Sequence, residues 1–480
     1  MFKLPAKYKN VYLIGIKGVG MTMLAQFLQA SGAKVSGSDV VETFLTDKVL
    51  RQAKIKVHAG FDPKNIPSPN TTIIYSSAYT PENNIELAFL EKKHDWKLLS
   101  YATALGEIFS AHHGVAVIGS HGKTTTSAWL GYVLDKAGLE PSILVGSSVP
   151  QLGGSAKLGK SDLFIAEVDE YQNKLQYFQP VGAVLNNIDY DHPDFFPTKS
   201  SYFQAFANFV AKIPTRGFLV TNDNDSAVRR TYPYLKGKLV NYNLFVDEAS
   251  AKAAAKRVRL AAYDYRLDNG WQYFKVYGQG EFKTKLLGRH NVFNALAVIG
   301  AALELEVPLE VIKKHLTTFK GTTRRAQLLG KYQGVPIFDD YAHHPTEIKA
   351  TLSTFAAAYK GRRLVAVFHP HTFSRTKALF KDFARSFAVA DLLVVLDIYG
   401  SAREEQGGVS SSELIEAIKE VNKTAGRRQT VIYQPDLEAT EKYLRANLKP
   451  NDLVVLLGAG DIFRVGQNLV KKTRTATKKK

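Results

Sequence analysis

Residues 119–125 read Gly119-Ser120-His121-Gly122-Lys123-Thr124-Thr125, directly after the apolar run 115–118. Glycine N–H groups can cradle phosphate oxygens. A lysine ammonium can carry charge on β- and γ-phosphates, and a threonine hydroxyl can reach a divalent cation. A full Walker motif has a further glycine where this chain has Val117, so the stretch is a shortened P-loop. A second glycine-rich loop stands upstream, with Gly15, Gly18 and Gly20 between an apolar run and a helical pattern. Its spacing differs from Gly-x-Gly-x-x-Gly, yet the same physics applies: close backbone approach and a helix N-terminus facing an anion. Asp39 closes the next strand, within reach of a ribose hydroxyl.

Carboxylates follow the P-loop in two groups. The run "AEVDEY" supplies Glu167, Asp169 and Glu170; "NNIDYDHPD" supplies Asp189, Asp191 and His192. Mg²⁺ takes oxygen ligands, and strand ends of an α/β sheet converge beside such a loop. Further on, "GRHNVFNA", "GTTRRAQ", "DDYAHHPTE" and "FHPHTFSRT" set amide, cationic and imidazole groups at element boundaries. The pair His343-His344, flanked by Asp340 and Pro345, is an unusual composition for a plain core.

These groups need elements to hold them. Up to about residue 111, short apolar runs alternate with helical spacing, which predicts a small parallel α/β unit. A second unit starts at "GVAVIGSHGKTTT", with strands at "DLFIAEVD", "VGAVLNNID" and "FLVTNDND" and an antiparallel excursion over 257–287. After "KGTTRRAQLL" the rhythm repeats as a doubly wound parallel sheet. Hinges are expected near 111–114 and 318–324. The C-terminal "KKTRTATKKK" reads as a disordered tail.

Composition sets limits. A 480-residue chain holds more than one ordinary domain. No apolar run reaches the roughly 18 residues of a membrane span, and the N-terminus lacks a secretory apolar region. The absence of cysteine removes disulfides and thiolate chemistry and suits a reducing cytoplasm. The net charge of +19 raises nucleic acid as a partner, but no nucleic-acid-binding motif is present; a basic interior receiving polyphosphates accounts for it better. Neither nucleic acid nor membrane is expected as a partner.

Taken in order, "GIKGVGM…SGSD", "GSHGKTTT", "AEVDEY", "NIDYDHPDFF", "GRHNVFNALA", "DDYAHHPTEI", "FHPHTFSRT", "ADLLVVLDIYGSARE…GGVSS" and "GAGDI" resemble the Mur ligases, the ATP-dependent amide-forming enzymes of peptidoglycan assembly. The resemblance implies three α/β domains. They are a Rossmann-like UDP-sugar domain over 1–111, a P-loop ATPase-like domain over 112–320, and a Rossmann-like amino-acid domain over 321–480. It implies a cytoplasmic enzyme, monomer or homodimer, that uses ATP and Mg²⁺ with UDP-N-acetylmuramate and L-alanine as substrates.

By position, Gly15, Lys17, Gly18, Gly20, Met21, Ser38, Asp39 and Ser77 would face the UDP-sugar. ATP would meet Gly119, Ser120, His121, Gly122, Lys123, Thr124, Thr125, Asn291, Arg325 and Asp340. Thr124, Glu167 and His192 would hold the metal. Tyr341, His343, His371 and Arg375 would hold the acyl substrate and the amino acid, with Lys123, His343 and Arg375 catalytic. The chain departs from the family pattern at Tyr171, where many relatives have serine, and at Thr372, where many have arginine. The helix after Asp191-His192 has no central lysine, so the carbamylated lysine of sister ligases is not expected. Alternatives are a ligase that recycles a whole tripeptide onto the same sugar, an NAD-dependent oxidoreductase, and a nucleotide-gated binding protein without chemistry.

Overall fold

Apolar runs covered on both faces form parallel strands, and three sets of them organise this chain. The computed structural model describes residues 2–400 and 406–477. The first sheet has the order Lys56–Ala59, Lys34–Asp39, Asn10–Ile14, Thr72–Tyr75, Lys97–Ser100, all parallel. Its chain order reverses beside Asn10–Ile14, where ligands bind in open α/β sheets. The first glycine loop sits there, with Gly15 at φ 81° and Gly18 capping the helix Val19–Ala30.

The second sheet has ten strands. The P-loop strand His113–Ile118 lies between Gly182–Leu185 and Leu163–Glu167, pairing Val117 with Glu167 and Ile118 with Leu185. That register brings the P-loop, Glu167 and residues 186–192 to one end of the sheet. The expected antiparallel excursion is Leu260–Asp268, Trp271–Val276 and Gly280–Thr284. The helix Lys123–Lys136 packs against Arg289–Glu304, which is apolar on nearly every side because it lies in the core.

The third sheet runs Gln327–Tyr332, Val335–Asp340, Asp452–Leu457, Arg363–Phe368, Leu392–Val395, Thr430–Tyr433. Gln327–Tyr332 is a strand that the sequence pattern does not announce. It is an antiparallel edge strand, turned into Val335–Asp340 by Gln333 and Gly334 at φ 47° and 86°, the conformation of tight hairpin turns. The helix expected over "TKALFKDFARSF" divides into Phe373–Ala378 and Phe380–Ala384. The C-terminal basic stretch, expected to be a disordered tail, has helical backbone to Thr477 as part of Phe463–Thr477; 478–480 lie outside the described residues. So do 401–405 of the "GSARE" stretch. Among the described residues, no helix is long and apolar enough to cross a membrane.

The domains meet through two unlike joints. The first and second share one apolar core, in which Phe27 stacks on Phe164 at 5.2 Å and Phe109 and Phe178 pack alongside. The 111–114 segment is packed into this joint: His112 stacks on Phe2 at 4.2 Å and contacts Asp162 at 2.8 Å. The second and third domains meet through hydrogen bonds and ion pairs. Ser147 donates to the Thr323 carbonyl at 2.9 Å, and Thr346 to Asp189 at 2.7 Å.

Candidate active site

The P-loop owes its shape to two left-handed glycines, Gly119 at φ 132° and Gly122 at φ 79°. A Cβ at Gly122 would lie 2.7 Å from the Asn294 side chain, so both the dihedral and the space demand glycine. The loop is strapped down by asparagines. Asn187 accepts from the His121 N–H at 2.8 Å, and Asn186 donates to the His121 carbonyl at 3.2 Å. Lys123 opens the helix, and its ammonium lies 2.8 Å from Glu170 and donates to the Gly119 and Ser120 carbonyls at 2.5 and 3.2 Å. Burial disfavours its charge, but Glu170 and Asp169 outweigh burial and hold the ammonium charged.

The carboxylates divide into two sets. Thr124 donates its hydroxyl to Glu167 at 2.7 Å, and Glu167 also accepts from the Gly146 N–H at 2.6 Å. Asp169, Glu170 and His192 form a second cluster, whose ligand atoms all lie within 4.8 Å of one another. The three residues expected to hold a metal are thus distributed: Thr124 and Glu167 in contact, His192 grouped with Glu170 and Asp169. His192 sits at φ 58° and lies against Tyr171 at 4.6 Å.

Across the second joint, His121 reaches Asp189 at 2.9 Å and Glu347 of the C-terminal domain at 3.2 Å. Burial works against its charge, yet hydrogen bonds to the two carboxylates raise its pKa to about 9. His344, at 4.8 Å ring to ring, is driven down to about 4, by burial first and then by the charged His121. Arg375 is buried and clamps Asp191 at 3.0 and 3.4 Å while donating to the His371 carbonyl at 3.2 Å. Burial would raise the Asp191 pKa, but Arg375, His192 and their neighbours hold it well below the ordinary value.

Two cavities open on this region. One, of about 780 Å³, is lined by His121, Gly122, Thr125, Asn291, Arg325 and Asp340 among others. The Asn291 amide is aimed by a bond to the Leu287 carbonyl at 2.7 Å, and Asp340 accepts from the Ala326 and Ala342 N–H groups at 2.7 and 2.9 Å. The other, of about 710 Å³, is lined by His192, Tyr341, His343, His371, Thr372 and Arg375. Thr372, a β-branched residue at φ 71°, caps the helix that carries Arg375. Left-handed backbone at non-glycine positions costs of order 1–3 kcal/mol and gathers at functional sites; here it marks His192, Arg324, Ala326 and Thr372.

The first loop presents mainly backbone. Met21 and Ser38 are buried, and Ser38 gives its hydroxyl to Glu86 at 2.5 Å. Asp39 accepts from the Lys17 and Val40 N–H groups at 2.6 and 2.8 Å and from Tyr79 at 3.2 Å. The Lys17 ammonium is spent on the Val40 and Glu42 carbonyls at 2.8 Å each. These side chains brace the loop, leaving Gly18, Gly20 and Ser77 at its accessible face.

Three successive stretches match the descriptions "Mur ligase family, catalytic domain" over 10–113, "Mur ligase middle domain" over 117–302 and "Mur ligase, glutamate ligase domain" over 324–460. The UDP-N-acetylmuramate–L-alanine ligase of Desulfitobacterium hafniense is 38% identical over 96% of this chain and 99% of its own length. That of Aquifex aeolicus is 35% identical over 97% and 98%. The chain belongs to the Mur ligase family.

Its three-domain α/β fold is that of solved Mur ligases. The UDP-N-acetylmuramate-alanine ligase of Thermotoga maritima superposes with a TM-score of 0.79 at 22% identity, over 97% of this chain and 99% of that one. A murein peptide ligase of Psychrobacter arcticus gives 0.69 at 22% identity, over 96% and 98%. Within this candidate site, the sequence alone gives no signal for Glu347, Asn186, Asn187, Asn294 and Tyr202. Tyr202 takes a hydrogen bond from Ser120 at 2.8 Å and donates to Glu170 at 3.1 Å. The asparagines and Glu347 stand inside motifs that were read, but neutral amides and one acid in a helix carry no signal of their own.

Proposed function

We propose that this Mur ligase joins L-alanine to the carboxylate of UDP-N-acetylmuramate, with ATP cleaved to ADP and phosphate, in peptidoglycan precursor synthesis. The observation that carries the reading is the wall between the two cavities. Asp189 lines one and His192, three residues on, lines the other. A phosphate chamber and an acceptor chamber therefore share the segment that follows a P-loop-flanking strand. The near-full-length identity to L-alanine ligases favours this acceptor over a tripeptide.

In this reading the domains divide near 111 and 320, taking the UDP-sugar, ATP and the amino acid in turn. A carboxylate oxygen of the substrate attacks the γ-phosphorus, the bond to the β-phosphate oxygen breaks, and ADP leaves. The amine then attacks the acyl carbon, loses a proton and displaces inorganic phosphate. Two anions must approach, so positive charge and positioning dominate the chemistry. Lys123 supplies charge at the γ-phosphate and Arg325 at the transferred group. Arg375, with Tyr341, His343 and His371, holds the acyl group and the amino acid. The oxygen donors Thr124 and Glu167, in contact at the helix N-terminus, suit Mg²⁺, and His192 stands in a separate cluster with Asp169 and Glu170. When bound there, Mg²⁺ would neutralise phosphate charge. Closing the polar joint over the site excludes water that would hydrolyse the acyl phosphate.

The test is ADP release with UDP-N-acetylmuramate, ATP and, in turn, L-alanine, glycine, L-serine and the tripeptide. L-alanine-dependent ADP release is expected; preference for the tripeptide would select the recycling activity instead. A Glu167→Ala variant is expected to need more Mg²⁺ for half-maximal activity.

A further inference from the structure

Tyr101 opens the helix Tyr101–Ser110, whose cap Ser100 accepts from the Thr103 N–H at 3.1 Å. Its ring packs partly buried against the core shared by the first two domains. Its hydroxyl reaches the first glycine loop: a Cβ at Gly20 would lie 3.0 Å from the phenol oxygen and from the ring carbon that bears it. The charges of Asp169 and Glu167 of the central domain act on it. Burial, and then the charge of these two carboxylates, hold the phenol protonated far above its ordinary range. It is a hydrogen-bond donor at every working pH.

Other tyrosines of this chain use their hydroxyls. Tyr8 donates to Glu107 at 2.5 Å, Tyr12 to Glu86 at 2.9 Å, Tyr202 to Glu170 at 3.1 Å and Tyr232 to Asp223 at 3.1 Å. Among the described residues, the Tyr101 hydroxyl has no hydrogen-bond partner; it lies against Gly20 of the first loop and within the field of Asp169 and Glu167. A substrate anchored at Gly15–Gly20 must carry its carboxylate towards Lys123 and the acids Glu170 and Asp169 beside it. That carboxylate travels towards like charges, so a neutral donor on the path is what it lacks.

We propose that the Tyr101 hydroxyl binds the acyl arm of the UDP-sugar substrate and steers its carboxylate from the first glycine loop to the P-loop. This rests on the ligase reading. It also accounts for Gly20, where any side chain would press on the phenol.

Tyr101→Phe in the full-length protein tests it, by calorimetric titration with UDP-N-acetylmuramate and by ADP release. A hydrogen bond to a charged group predicts a loss of roughly ten- to hundredfold in kcat/KM for the UDP-sugar. The KM for ATP and the unfolding temperature should stay as in the wild type. Gly20→Ala, which displaces the phenol, should weaken the same parameter. Wild-type kcat/KM for the UDP-sugar in Tyr101→Phe overturns the proposal, and so does an equal loss for ATP or a lowered unfolding temperature, which would mark a structural tyrosine. If the wild type binds UDP-N-acetylmuramate without releasing ADP, the ligase reading fails while the titration still decides Tyr101. If it does not bind the sugar, both fall.

Discussion

The two interdomain joints differ in kind. The first is an extension of the hydrophobic core, with Phe27, Phe109, Phe164 and Phe178 in one cluster. The second is built from His121–Glu347, Asp189–Thr346 and Arg375–Asp191. Apolar contact is stable at any charge state and resists being opened in water. Charged groups exchange protein partners for water at modest net cost. A joint that must release product and admit ATP is better built from the second material. His112 is packed into the apolar joint, so we propose that domain closure turns on the segment near 318–324.

The largest effect should come from Phe164→Ala. The ring is fully buried, so truncation should cost about 3–5 kcal/mol, seen as a lower unfolding midpoint shared by the first two domains. If the first domain alone loses stability, the joint is not one core. Next comes Asp191→Ala, which strands the buried Arg375 charge. A penalty of about 3 kcal/mol should lower kcat/KM by roughly hundredfold while leaving the melting of the two-domain body nearly unchanged. An equal drop in that midpoint would mean that the second joint is as structural as the first.

A smaller effect is expected at His121. The variants His121→Gln and Glu347→Gln, alone and together, should show a coupling of about 1 kcal/mol in kcat/KM; strictly additive losses would remove the link between P-loop and C-terminal domain. The smallest effect is in pH and salt. His121 has a folded pKa of about 9 against 6.5 for the free side chain. Its contribution to closure is therefore complete below about pH 6.5 and fades as pH rises through 9. Stability of the apolar joint should be flat over that window and indifferent to salt. Domain closure, followed by small-angle scattering with nucleotide present, should loosen. A joint that ignores both pH and salt would contradict the charged description.

Sequence and structure answer different parts of this comparison. Glycine loops are legible because their chemistry is local: Gly119 and Gly122 must turn left-handed, and a helix must follow for the loop to hold phosphate. Parallel strands are legible because burial on both faces writes an unbroken apolar run. The edge strand Gln327–Tyr332 escaped because an edge alternates weakly and its turn, Gln333-Gly334, is an uncommon pair. The helical backbone over 471–477 escapes the sequence pattern because its charge density masks the continuation of a helix that begins upstream, where Val465 and Leu469 are buried.

By itself the sequence determined three α/β units, a shortened P-loop with its lysine and threonine, an upstream glycine loop and the membership of the Mur ligases. Backbone conformation and short-range periodicity decide the units and the two loops; the family rests on the resemblance of motifs taken in order along the chain. Tertiary structure alone decided the partners. His121 meets Glu347 across 226 positions and Arg375 meets Asp191 across 184. Tyr101 meets Gly20, and His192 joins Glu170 and Asp169 while Glu167 stays with Thr124. Which carboxylate faces which cation depends on how sheets from separate domains stack, and nothing in the spacing of charged residues along a chain encodes that distance.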